Sequence, residues 1–152
     1  MQVPNRTKIQ YLTGSINLTT DTIKLALYDT GVAFDFDPDT HAFVGDVLDG
    51  GTTAQEPTDG SYARQTLSGL STGQDDANDQ AVFDADDVTI SSLTTTNDIQ
   101  GVIVYKEVTD DTDSPILFVI DDTDDSDLPA ETNGTDFVVE WSSDGVQTLS
   151  ES

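Results

Sequence analysis

The sequence predicts an all-β fold: a single-domain antiparallel β-sandwich or barrel-like fold with a short N-terminal helix or arm and long acidic loops. Three observations carry this. Apolar residues gather in six or seven short runs of strand length rather than scattering. Joints rich in Ser, Gly, Asp and Pro separate those runs at regular intervals. Beyond the first 14 residues no stretch shows a convincing helical period. A chain of 152 residues fits one domain and is long enough to bury a real core.

In chain order, residues 1–14 read as a short helix or a pairing arm, with Ile9 and Leu12 sharing a face if helical. Residues 22–28 (TIKLALY) alternate, putting Ile23, Leu25 and Leu27 on one side. From 29 to 60 the chain becomes a long excursion rich in Asp, Gly and Thr, with at most one short strand near 42–44. Strand signals return at 61–67, 81–90, 99–107, 116–121, 136–141 and 146–149. Val102–Tyr105 and Ile116–Ile120 are continuous apolar runs, as expected of strands covered on both faces. Asp144-Gly145, following Ser143, suits a hairpin turn.

The chain carries 30 acidic against 5 basic residues, a formal net charge of −25. Such composition fits either a disordered segment or a folded protein that works in concentrated salt. At about 1 M salt the Debye length is roughly 3 Å, so dense like charges hardly repel. At low salt they destabilise the compact state. The ordered strand pattern favours the folded, salt-adapted reading. Nucleic acid is excluded as a partner, because Arg6, Lys8, Lys24, Arg64 and Lys106 are few and dispersed. No apolar stretch is long enough for a membrane-spanning helix, and the N-terminus lacks the apolar core of a signal peptide. With no cysteine, disulfides, thiol catalysis and Cys-based metal sites are excluded.

Candidate chemistry is sparse. Asp35, Asp37 and Asp39 alternate like the start of a Ca²⁺ loop, but the positions that need Gly and a bidentate Glu hold Thr40 and Asp46. These three aspartates, like Asp84, Asp86, Asp87 and the run 121–127, read as solvated acidic loops, with a structural or adventitious cation as the alternative and Asp35, Asp37 and Asp39 as its candidate ligands. His41 is the only histidine, which excludes a His-based zinc cage. No nucleophile-bearing turn accompanies it. Paired carboxylates for glycoside cleavage require an aromatic-lined cleft, and the single tryptophan, Trp141, lies in a run that reads as core. The expectation is therefore a non-enzyme with no cofactor. Asn5, Asn17 and Asn133 head Asn-x-Thr sequons. Arg64 and Lys106, in strand signals, are expected either in intrachain ion pairs or as intermolecular anchors.

The succession 20–27 (TDTIKLAL), 62–67 (YARQTL) and 83–89 (FDADDVT) resembles a family of small virion-associated proteins encoded among the structural genes of tailed viruses. The resemblance continues through 101–106 (GVIVYK), 114–117 (SPIL) with Ile120-Asp121, and 133–137 (NGTDF), and so covers most of 20–146. The acidic stretch 35–49 departs from it. Together with the acidity, the resemblance implies a structural protein of a tailed virus of a halophilic archaeon, located on the particle. Its partners would be the major capsid protein or tail proteins, and copies of itself. A head-decoration or turret role is the first expectation. A tail, neck or baseplate role is the second, and an extracellular glycan- or surface-binding module the third. The expected contact regions are 2–12 and 34–47, with Ile9, Leu12, Phe34, Phe36, Phe43 and Val44 as apolar anchors.

Overall fold

The two continuous apolar runs must be shielded from water on both faces, and the fold is built around them. The computed structural model describes residues 1–58, 61–121 and 127–150. Its elements are α1 (Asn5–Thr13), β1 (Ile23–Asp29), α2 (Val44–Val47), β2 (Gln65–Thr66), β3 (Ser71–Asp75) and β4 (Gln80–Asp84), then β5 (Val88–Ile90), β6 (Ile99–Lys106), β7 (Ile116–Asp121), β8 (Phe137–Val139) and β9 (Gln147–Ser150). Among the described residues all strand pairings are antiparallel. They form a four-stranded sheet β2-β1-β6-β7, a three-stranded sheet β3-β4-β9 and a two-stranded sheet β5-β8. The chain is thus all-β with a short N-terminal helix, as its patterning predicts.

The four-stranded sheet lies between two apolar clusters. On one face Ile23, Leu25 and Leu27 of β1, Val102 and Val104 of β6, and Phe118 of β7 meet Phe83 of β4 with Val88 and Ile90 of β5. This is sandwich-like packing of a large sheet on two small ones. The alternate residues Ala26, Tyr28, Ile103, Tyr105, Ile116 and Val119 form the second face. A register shift between β6 and β7 pairs Val104 with Phe118 and Tyr105 with Ile116, so Leu117 is an extra, bulged residue that joins the first cluster.

The acidic excursion covers the second face. Phe36, Val44, Val47, Leu48 and Ala54 turn inward and are buried there. The segment is stitched down by backbone bonds: Asp29 N to Gln55 O at 2.8 Å, Val44 N to Ser114 O at 3.0 Å, Gly45 N to Asp111 O at 2.8 Å and Ile116 N to Ala42 O at 3.0 Å. These pairs satisfy polar groups that burial would otherwise strand.

Two local expectations are corrected and two are narrowed. The stretch 42–44, allowed at most one short strand, holds a single bridge from Phe43 to Pro115, followed by one turn of helix. The run 81–90 is two strands, β4 and β5, in different sheets, because Ala85-Asp86-Asp87 breaks the ladder. The stretch 71–75, read as a joint, is strand β3. The Asp-Gly turn exists, with Gly145 at φ 99 and its N–H on Ser142 O at 2.9 Å. It closes a minimal hairpin, the single antiparallel bridge of Ser142 with Gly145, and does not join β8 to β9, which lie in different sheets. The turn redirects the chain so that Val146 N bonds Phe83 O at 2.8 Å and β9 pairs with β4.

Candidate functional site

The N-terminal segment is docked on its own chain rather than free. Gln2 and Val119 exchange two backbone hydrogen bonds of 2.8 Å, closing the outer edge of β7. The Thr7 hydroxyl, fully buried, donates to Ile116 O. Tyr11 Oη donates to Gln147 Oε1 at 2.9 Å and so ties α1 to β9. Burial raises the Tyr11 hydroxyl well above the ordinary tyrosine value, an effect the Gln147 bond only partly offsets.

With Thr7 and Tyr11 turned inward, helical geometry turns Asn5, Lys8, Ile9 and Leu12 outward, at i, i+3, i+4 and i+7. Ile9 is 61% and Leu12 88% exposed. The helix is therefore amphipathic in the unusual sense: two aliphatic side chains and a cation form its wet stripe. Lys8 Nζ donates to Asn5 Oδ1 at 2.9 Å, and Arg6 lies 4.8 Å above the Phe43 ring. Among the described residues neither cation forms an ion pair with a carboxylate.

Beside this stripe runs an apolar groove of about 370 Å³. Tyr11, Gly14, Ile16 and Leu18 form one wall, and Ala81, Val82, Phe83 and Leu149 of the three-stranded sheet form the other. Leu149 is 61% exposed. At its far end the groove reaches the β3–β4 hairpin tip, where Ala81 adjoins Asp75, Asp76 and Asp79. A second apolar cleft, about 330 Å³, lies between Val102 and Ile120 on one side and Phe137, Val139 and Trp141 on the other, with Asp127 and Glu140 at its rim. Trp141 lies beyond the end of β8 and is partly buried, packed against the first core cluster at its edge. Its indole N–H donates to Asp86 O at 3.0 Å, which fixes the ring.

The aspartates of the loops have a structural use that the solvated reading omitted. Asp37 accepts the Asp39 N–H at 2.9 Å, Asp46 accepts those of Ala42 and Phe43 at 2.9 and 2.8 Å, and Asp49 accepts those of Thr52 and Thr53, each at 2.8 Å. Asp75 and Asp110 close turns in the same way. The short Asp side chain reaches its neighbours' backbone, which Glu does less readily. Hydrogen bonds hold four of these carboxyls below the ordinary value of 3.8, chiefly the Asp39 N–H for Asp37, the Thr53 N–H for Asp49, the Asn78 side-chain amide for Asp75 and the Thr112 hydroxyl for Asp110. Asp39 accepts from Asn5 Nδ2 and anchors the start of α1. Asp35 is exposed. Among the described residues no three His, Asp or Glu side chains converge on one point as a metal cage would require. Most of the acidic run 121–127, residues 122–126, lies outside the described residues.

The other expected contact residues divide. Phe36 and Val44 belong to the core, at 4% and 0% exposure, so they are not surface anchors; the sheet beneath them needs their apolar area. Phe34 is half-buried, edge-on to Tyr28 at 5.3 Å and beside His41 at 5.2 Å. Phe43 is half-buried under Arg6. His41 Nδ1 accepts the Asp37 N–H at 2.9 Å, a turn-closing role. Arg64 and Lys106 take the intrachain alternative: Arg64 pairs with Glu56 and Asp111 at 2.7 and 2.6 Å, and Lys106 with Asp21 at 2.8 Å. Asn5, Asn17 and Asn133 are all exposed, and the last two cap Thr19 and Thr135 backbone N–H groups at 3.1 Å.

Of the expected anchors, Ile9 and Leu12 stand fully outward. Ala81 and Leu149 were missed, because lone apolar residues among polar neighbours give no periodic signal. No protein-family model, no curated protein and no solved structure matches the chain.

Proposed function

We propose that this chain is a structural protein of a tailed-virus particle adapted to concentrated salt, acting by protein–protein contact as a decoration or turret protein of the head. The observation that carries the contact reading is the outward stripe of α1, with Ile9 and Leu12 presented to solvent on a helix pinned by Thr7 and Tyr11. Together with the apolar groove beside them, these two side chains make an exposed apolar surface of the kind that meets partners. The particle assignment is supported by the sequence resemblance. A subunit that binds only the assembled shell stabilises that shell by mass action.

Quantitative mass spectrometry of purified particles tests this. Copy numbers that match the many repeated positions of a shell support head decoration. A single ring's worth moves the protein to the neck, tail or baseplate. Absence from particles overturns the reading. Deleting residues 1–12 is a poor probe, because it also strips the Gln2 pairing from β7. Leu12→Asp alters the stripe alone.

The cleft beside Trp141 favours a second reading, a glycan-binding module, since a fixed indole with carboxylates at its rim suits a sugar ring. Trp141 is the only tryptophan, so its fluorescence reports the cleft directly. A saturable change with oligosaccharides, lost in Trp141→Phe, supports this reading; an unchanged spectrum removes it.

A further inference from the structure

We propose that the outward stripe of α1 and the groove beside it are the two halves of one self-complementary surface, by which two copies of this chain pair about a two-fold axis. This rests on the contact reading above and names the partner of the same site.

Charge segregation within the chain is the first argument. Residues 1–20 contain Arg6 and Lys8 and no acid, whereas all 30 carboxylate side chains lie from Asp21 onward. Lys24, Arg64 and Lys106 are engaged in ion pairs within the chain. Among the described residues, α1 is thus the place where an acidic partner finds unpaired cations. An acidic, apolar counterpart lies next to it: Ala81, Val82 and Leu149 belong to the sheet wall of the groove, and Ala81 adjoins Asp75, Asp76 and Asp79 at the hairpin tip. The Asp75 carboxylate is already bonded to Ala77, Asn78 and Gln80; Asp76, which accepts Gln74 Nε2 at 2.8 Å through one oxygen, and Asp79 are the exposed charges of the tip.

Adjacency is the second argument. Tyr11 and Gly14 belong to or cap α1 and also line the groove, so stripe and groove share a boundary. A surface with a basic apolar half and an acidic apolar half side by side pairs with its own copy by a half-turn. Each helix then enters the other chain's groove, and both contacts form at once. Stripe on stripe would set Lys8 near Lys8, and groove on groove would set the aspartates together; the reciprocal seating avoids both. Ile9 and Leu12 fill the partner's groove, while Lys8 meets the hairpin tip. With a charge of −25 on each chain, the pair forms only where salt screens the remaining surface.

Molar mass measured by light scattering and sedimentation in molar KCl, on the full chain, tests the proposal. Wild type is expected at twice the chain mass. Leu12→Asp and Leu149→Asp replace exposed side chains, and unchanged circular dichroism verifies that each remains folded. Each is expected to raise the dimer dissociation constant about 30-fold or more, the effect of losing a central aliphatic anchor. An equimolar mixture of the two variants keeps one intact helix-in-groove contact, and is expected to associate more tightly than either alone. A monomeric wild type, a dimer that responds to only one substitution, or a mixture that regains nothing would each overturn the reciprocal dimer. If wild type is monomeric but Leu12→Asp releases the protein from purified particles, the occupant is another virion subunit and only the dimer falls. If the dimer forms but the protein is missing from particles, the particle assignment falls and the dimer stands.

Discussion

Arg64 and Asp111 meet fork to fork, with Nη1 on Oδ1 at 2.6 Å and Nη2 on Oδ2 at 2.8 Å. The same guanidinium also takes Glu56 through Nε at 2.7 Å and Nη2 at 2.9 Å, and lies 5.7 Å from the Tyr105 ring centre. One cation thus ties the end of the acidic excursion to the β6–β7 loop across the sheet. The Glu56 and Asp111 bonds push the guanidinium further toward its charged form. Arg64→Ala leaves two half-buried carboxylates facing each other, and is expected to cost about 2–4 kcal/mol. Arg64→Lys should recover little, because a point charge cannot form both forks. Thermal unfolding of the two variants in molar KCl measures this, and a change under about 0.5 kcal/mol for Arg64→Ala would contradict it.

Tyr28 and Gly101 are cross-strand partners, and the tyrosine ring lies over the glycine. A Cβ at Gly101 would fall 2.5 Å from Tyr28 Cζ. Tyr28 is fully buried and has little room to yield. Gly101→Ala is therefore expected to destabilise by about 1–3 kcal/mol through overpacking, despite the better strand propensity of alanine. Gly73, in the exposed strand β3, has nothing within 4 Å of its Cβ position, so Gly73→Ala is the matched control and should be near neutral.

Salt dependence follows from 30 acids set against 5 basic residues. Few cations offset the repulsion locally, so mobile ions must supply the rest. The thermal midpoint should climb steadily with KCl concentration, and the β-sheet circular-dichroism signal should weaken in dilute buffer. A midpoint unchanged between dilute and molar salt would remove the salt-adapted reading.

Stability should fall at both ends of the pH scale when repulsion is screened by molar KCl. On the acid side Asp37, Asp49, Asp75 and Asp110 titrate lower in the folded chain than their ordinary 3.8. Their contribution is present above that value and lost as pH drops below it. On the alkaline side Tyr11 and Tyr62 are raised above 10.0, chiefly by burial. Their contribution is present below pH 10.0 and lost as pH rises past it. Tyr11→Phe should blunt the alkaline loss. At neutral pH it should cost about 1 kcal/mol, because the Gln147 amide oxygen loses its donor. Unfolding midpoints across pH for wild type and Tyr11→Phe check both limbs.

What the sequence determined by itself is local. Alternation in TIKLALY fixed which face Ile23, Leu25 and Leu27 share, and the continuous runs in GVIVYK and ILFVI marked strands buried on both sides. These patterns are legible because a strand's period is set by its own backbone. The exposure of Ile9 and Leu12 depended on Thr7 finding Ile116 O, 109 residues away. The inward turn of Phe36 and Val44 depended on a sheet face that their own segment does not contain. Strand β3 carries no apolar period, and it exists because β4 offers it a ladder. Such features belong to contacts between distant segments, so only the assembled tertiary structure decided which apolar residues are core and which stay exposed.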